Sequence, residues 1–266
     1  MLRAALYRHS SSLLHDVGPH PEQPARIEAI DRALTAAGGL GYEFHESPPA
    51  SRAQLEAVHP AGHVDLIEQL ASSGGGTIDG DTALCEHSYD AAVHAAGGAC
   101  ALVDALLDHD FAVGAALHRP PGHHAETARA MGFCLFNSVA VAARHARDAY
   151  GCRRVLIVDW DVHHGNGTQE IFYSTGEVLF ASIHEAPLYP GTGATTERGD
   201  GEGHGYTLNL PVRAGSGDEV FTGLVSEAIV PVARAYDPEL ILISAGFDAH
   251  VRDPLAGCEV TEEGYA

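Results

Sequence analysis

The chain has 266 residues, 15 basic and 36 acidic side chains, and a formal net charge of −21. Every basic residue is arginine, which excludes a Walker A loop, a Schiff-base lysine and a Ser-x-x-Lys catalyst. So acidic a chain, with no basic run, is also no candidate for binding a nucleic-acid backbone. Its field favours cationic substrates, although acidity chiefly serves solubility. Apolar residues at 45% suit a globular fold with its own core. Five cysteines lie scattered at 85, 100, 134, 152 and 258 with no C-x-x-C. That pattern implies reduced thiols and a cytoplasmic compartment, not a disulfide framework or zinc ribbon. The first ten residues carry Arg3 and Arg8 and no long apolar run, and no stretch approaches the ~20 apolar residues of a membrane span. Neither a signal peptide nor a membrane partner is expected.

In chain order, Arg3–Tyr7 reads as a strand. Ile27, Ile30 and Leu34 then follow helical spacing, with Pro24 suited to the first turn. The alanine-rich residues 89–108 read as a helix, Val113–Leu117 as a strand and 138–149 as a helix. Strands follow at Arg154–Asp159, Val178–Ile183 and Tyr206–Pro211, then a helix over 218–235 and a strand at Glu239–Ser244. The runs Val-Leu-Ile-Val at 155–158 and Leu-Ile-Leu-Ile at 240–243 do not alternate, which predicts burial on both faces of a parallel sheet. The fold class expected is α/β, a three-layer αβα arrangement with a mostly parallel central sheet. Ser72–Gly76 is too short for a linker, so residues 1–266 read as one domain. Neither G-x-G-x-x-G nor G-x-S-x-G occurs.

Histidine is over-represented, with 18 copies and two adjacent pairs, His123-His124 and His163-His164. His45, His87, His94, His109 and His145 read as ordinary surface or core residues. The strand ending at Asp159 continues Trp160-Asp161-Val162-His163-His164-Gly165-Asn166. Alternate residues of an extended chain share a face, so Asp159, Asp161 and His163 form one row at a strand's carboxyl end, where open α/β sheets place ligands. The strand at 239–244 ends likewise in Ala245-Gly246-Phe247-Asp248. Joining the two ends gives Asp161, His163 and Asp248, three donors suited to a catalytic Zn²⁺ or Fe²⁺. On spacing alone, Asp159 and Asp161 could equally be turn or cap residues before a helix. Arg119-Pro120-Pro121-Gly122-His123-His124 follows a third strand. Two imidazoles there can act as general base and electrostatic partner, with Asp159 and Asn166 available to fix their tautomers.

Five ordered segments carry a resemblance: Arg-Pro-Pro-Gly-His-His-Ala, Gly132-Phe133-Cys134-Leu135-Phe136-Asn137, Asp159-x-Asp161-x-His163-His164-Gly-Asn-Gly, Tyr189-Pro-Gly-Thr-Gly193 and Ser244-Ala-Gly-Phe-Asp248. With His20-Pro-Glu22, Pro24 and Arg26, they resemble the histone deacetylase family, closest to its class II and bacterial acetylpolyamine-amidohydrolase-like branch. The match runs from about Tyr7 to Tyr265.

The resemblance implies a metal-dependent amidohydrolase on an arginase/deacetylase-type sheet. Asp161, His163 and Asp248 would hold the metal, His124 would be the general base, and His123 its electrostatic partner paired to Asp159. Asn166 stands where the partner of His124 is expected. Gly132 and Phe133 would line an acyl-lysine channel, with Tyr189 near the opposite wall. A structural K⁺ would sit near Asp159, Asp161, His163 and Ser182, and a second near Phe172, Thr175 and Val178. Leu255, where polyamine-specialised members carry glutamate, favours acetyl-lysine in peptides or proteins over acetylated polyamines as substrate. The arginine-only usage is associated with high-GC bacteria.

The sequence departs from the family downstream of Asp248. The family's oxyanion tyrosine lies in a Gly-rich segment there, whereas Thr261-Glu-Glu-Gly-Tyr265 resembles the start of its next helix. The expectation is a C-terminally truncated deacetylase domain that lacks this tyrosine, its activity left open by that loss, with a non-catalytic acetyl-lysine-binding remnant as the alternative. It should carry an exposed sheet edge prone to homo-oligomerisation. A binuclear ureohydrolase of the arginase type would need further bridging acids, and Gly165 stands where one is required.

Overall fold

The computed structural model describes residues 3–266, which fall into two compact units divided between Gly151 and Cys152. The first unit runs β1 (Ala4–Arg8), α1 (Ser11–Leu14), α2 (Ala25–Ala36), β2 (Tyr42–Glu46), α3 (Arg52–Glu56), α4 (Ala61–Ser72), β3 (Gly75–Thr77), β4 (Ala83–Cys85), α5 (Ser88–Leu107), β5 (Val113–Ala116) and α6 (Ser138–Tyr150). The second runs β6 (Val155–Asp159), α7 (Asn166–Phe172), β7 (Val178–Glu185), β8 (Thr207–Val212), α8 (Asp218–Leu224), α9 (Val230–Tyr236) and β9 (Leu240–Ser244). Parallel ladders with crossover helices make this an α/β fold, as the alternating pattern predicts.

In the first unit the parallel sheet has the order β2-β1-β5. Ala5 and Leu6 of β1 are buried, and Ala105 and Phe111 pack against Ala5. The α5 helix lies on β1 and β5 and contacts α6. At 20 residues it is long and apolar enough to cross a membrane by length and composition. This corrects the expectation that no stretch approaches a span. Small residues carry that apolarity, and Ala91, Ala92, Ala96, Cys100 and Val103 are buried within the protein, as in a core helix. Helix α6 opens on Asn137, whose side chain accepts the Ala140 amide, and closes on left-handed Gly151. Three strands escape the sequence patterns. β2 is largely exposed at the sheet edge, and β3 and β4 form a three-residue antiparallel pair.

In the second unit the order is β8-β7-β6-β9, all parallel. Every residue of β6 and β7 is buried; for β6 this is what the run Val-Leu-Ile-Val predicts, while β7 also buries Ser182, His184 and Glu185. One face packs Leu156, Val158, Leu179 and Ile183 with Phe221 and Ile229 of the helical segment between β8 and β9. That segment, predicted as one helix over 218–235, is interrupted by a π-turn at Val225–Ile229. Pro231 follows it and lacks the N–H that a regular helix would use.

The β9 expectation fails on one face. Leu240 is buried, but Ile241 is 52% and Ile243 46% exposed. Ile241 and Ile243 share one face of the strand, which is left exposed, and β9 is also an edge of its sheet. Burying one such side chain is worth about 1.5–3 kcal/mol, and an open edge bearing two of them is an association surface. The double variant Ile241→Thr, Ile243→Thr is expected to lower concentration-dependent self-association. Light scattering identical to wild type would place the sticky surface elsewhere.

Candidate active site

The register of β6 against β9 pairs Asp159 with Ser244. Both strands therefore end at the same level, and the segments beyond them meet. His163 Nδ1 lies 3.1 Å from Asp161 Oδ1 and 2.9 Å from Asp248 Oδ2. One donor atom from each of the three residues lies within 4.8 Å of the others. The Val162 amide donates to Asp248 Oδ1 at 2.8 Å, locking the second strand end to the first. Gly246 allows the approach, since a Cβ there would fall 2.2 Å from Asp161 Oδ2.

Turn-forming and metal-binding roles prove compatible. Asp161 Oδ1 accepts the His163 amide at 2.8 Å, so the same carboxylate shapes the turn and faces the cluster. Asp159, the last residue of β6, makes the same kind of turn: its fully buried carboxylate accepts the Asp161 amide through Oδ1 at 3.2 Å. Helix α7 starts only at Asn166, which is buried.

Burial pulls the His163 imidazole down, but hydrogen bonds to Asp161 and Asp248 outweigh it and push it up to about 10. Burial pushes Asp248 up to about 6, aided by the charge of Asp161 and opposed by His163. Two carboxylates and one imidazole held this close suit a divalent metal, which would replace the proton.

In the first unit, His123 and His124 are buried, with ring centroids 4.0 Å apart. Their segment is anchored at its start by Arg119, whose guanidinium is 2% exposed. Arg119 forms a two-pronged ion pair with Glu22, with Nη2 2.6 Å from Oε2. It also donates to the carbonyls of Ser12 and His15 at 2.6 and 2.8 Å. Burial raises the Glu22 carboxyl, but hydrogen bonds from His15 and Arg119 outweigh it and keep it ionised. At the other end, Asn137 donates to the Ala125 carbonyl, and the His124 amide donates to Cys134 Sγ. Gly132 and Phe133 both adopt left-handed φ, 54° and 68°. A Cβ at Gly132 would meet the His124 ring at 2.3 Å. Strain of this kind at Phe133 is typical of functional loops.

Sequence reasoning missed His59, which supports the same segment. Its Nδ1–H donates to Thr127 O at 3.0 Å, and its Nε2 accepts the Asn137 amide at 2.9 Å. Burial first, then His63, pushes it down to about 4, so it stays neutral. Its signal, one histidine among many, gave no warning. His9, Asp90 and His94 also gather donor atoms within 4.8 Å. There the two rings stack at 3.6 Å and 3°, so their in-plane lone pairs do not converge on one point. His94 Nδ1–H is also spent on the Asp90 carbonyl. We read this group as packing.

Of the remaining predicted residues, Tyr189 presents its ring edge to His163 at 6.3 Å. Leu255 is 40% exposed on a loop. Ser182 is buried and pairs with Asp159 in the β6–β7 register. Phe172 and Val178 are buried, and the Thr175 amide donates to the Phe172 carbonyl. Tyr265 packs its ring against Phe247, and its hydroxyl is buried without a hydrogen-bond partner.

The family model described as the histone deacetylase domain matches residues 20–266. The chain belongs to the histone deacetylase family. It is 40% identical over 98% of its length to "Histone deacetylase 14, chloroplastic" of Arabidopsis thaliana, of which it spans 66%. It is 42% identical over 97% of its length to a "Probable deacetylase" of Methanothermobacter thermautotrophicus, spanning 78% of that protein. It is 36% identical over 92% of its length to the "Histone deacetylase-like amidohydrolase" of Pseudomonas aeruginosa, spanning 65%. Against the crystal structure of the HDA15 HD domain the TM-score is 0.95, at 41% identity, covering 99% of this chain and 77% of that one.

Two predictions follow from the geometry. With the His163 imidazole pushed up to about 10 by its two carboxylates, a metal bound there would displace a proton, and its affinity is expected to rise between pH 6 and 9. The sign for the metal-free fold is the reverse: the stabilisation is complete below the ordinary imidazole value of 6.5 and is lost as pH rises toward about 10. Calorimetry with Zn²⁺ or Co²⁺ in buffers of differing ionisation enthalpy checks the release, and a pH-independent affinity would contradict it. Separately, Glu22→Ala leaves the Arg119 charge buried and should cost about 3–5 kcal/mol in urea unfolding. A loss below 1 kcal/mol would remove that ion pair from the scaffold.

Proposed function

We propose that this protein is a metal-dependent deacetylase that hydrolyses the amide of acetyl-lysine in peptides or proteins. The observation that carries the reading is the convergence of Asp161, His163 and Asp248 at paired strand ends. Their mixed nitrogen and oxygen set suits Zn²⁺, with Fe²⁺ as the alternative. When bound there, such an ion supplies Lewis-acid polarisation of the acyl carbonyl and acidifies the attacking water.

The chain's own side chains supply the rest. His124 takes the proton from water as it adds to the carbonyl. His123 balances the charge that develops, and the amine departs protonated. The family resemblance assigns Asp159 and Asn166 to fixing the tautomers of the two imidazoles, and Gly132, Phe133 and Tyr189 to the channel for the aliphatic stem. K⁺ ions near Asp159, Asp161, His163 and Ser182, and near Phe172, Thr175 and Val178, brace the loops on either side of β7.

Leu255 supports acetyl-lysine over acetylated polyamines, because its exposed aliphatic side chain offers no counter-charge to a second ammonium. The test is acetate release from an acetyl-lysine peptide and from an acetylated polyamine, by the Zn²⁺-loaded protein, with Asp248→Ala as control. Peptide turnover abolished in the control supports the reading. Tight hydroxamate binding without turnover would make the protein an acyl-lysine binder instead. Leu255→Glu should raise the polyamine-to-peptide ratio of kcat/KM by about tenfold or more. An unchanged ratio would remove Leu255 from the specificity argument.

A further inference from the structure

The segment between β7 and β8 carries Tyr189, yet residues 186–199 contain neither helix nor strand. A loop of this length without internal ladders needs some other support. Beneath it lies a polar network. Glu197 Oε2 accepts the Gly193 amide at 3.1 Å, and Oε1 accepts the Ala194 amide at 3.1 Å. Gln169 Nε2 donates to Glu197 Oε2 at 2.6 Å. The Gly193 carbonyl accepts His184 Nε2–H at 3.0 Å, so both backbone groups of Gly193 are held.

The network reaches the metal donors through the chain itself. His164, next to His163, turns the opposite way. Its Nδ1 accepts the Thr192 hydroxyl at 2.7 Å, and its Nε2–H donates to Gln169 Oε1 at 3.1 Å. One carboxylate therefore ties together the loop bearing Tyr189 and the residue adjoining a metal donor. Burial raises the Glu197 carboxyl, but the hydrogen bonds from Gln169, Ala194 and Gly193 outweigh it and keep it ionised.

We propose that Glu197 is a positioning residue for substrate: it fixes the 186–197 loop so that Tyr189 stays against His163, and thereby sets affinity for the aliphatic stem of the acyl-amine. This rests on the deacetylase reading above. Without the carboxylate, the Gly193 and Ala194 amides lose their acceptor, the loop opens and the Tyr189 wall is lost. The hydrogen bonds that join Val162, Asp161, His163 and Asp248 do not involve Glu197, so the three donors are expected to stay together in its absence.

The test uses the Zn²⁺-loaded full chain with two probes: acetohydroxamate, which has no stem, and a hydroxamate on a six-carbon chain. Glu197→Ala should weaken the long probe about tenfold, leave acetohydroxamate unchanged and leave zinc stoichiometry unchanged. Tyr189→Ala should show the same selective loss, and the double variant little more than either single. Glu197→Gln, which keeps one acceptor oxygen, should fall between. Equal loss of both probes, or no loss of either, overturns the proposal. If wild type binds neither zinc nor hydroxamate, the deacetylase reading fails. The loop claim is then decided by hydrogen exchange: faster exchange at Gly193 and Ala194 in Glu197→Ala supports it, and unchanged exchange overturns it.

Discussion

Holding two carboxylates and an imidazole in mutual contact is the constraint on which the second unit is organised. Like charges at this separation repel, and partial burial deepens the penalty. The fold meets it with geometry: β6 and β9 end in register, Val162 donates to Asp248, and the Asp161 carboxylate is bound by the His163 amide. The repulsion shows in Asp248, pushed up to about 6, and the compensating attraction in His163, pushed up to about 10. Two carboxylates and an imidazole so placed have the composition that suits a divalent cation.

The first unit solves a different problem with a related device. Its histidine pair sits in an irregular segment, where no ladder can fix it. A buried arginine takes that role, bound to Glu22 and to two carbonyls, while Gly132 leaves room for the His124 ring. Such a pair contributes little net stability compared with apolar packing, but its loss is costly. Its value is in specifying one conformation for the segment.

Much of this was legible in the sequence because the informative signals are local. The unbroken apolar run Val-Leu-Ile-Val marked β6, and Asp-x-Asp-x-His at its end marked the side chains that meet Asp248. What failed was non-local. Whether Ile241 and Ile243 are covered depends on a neighbour, which no run of residues encodes. β2, a short edge strand with exposed Glu43 and Phe44, has no buried face to leave a trace. Glu197 and Gln169 were invisible because they act across 28 residues of chain.

The ladder that joins β6 to β9 also has a consequence in time. His163 and Asp248 are 85 residues apart, and the chain must lay down β7, β8 and two helical segments before β9 can close against β6. Closing so long a loop is among the slower steps available to a folding domain. During synthesis Asp248 emerges from the ribosome well after Asp161 and His163. The three side chains therefore come together only once the unit has finished assembling, and until then β9 has no parallel partner to hold it.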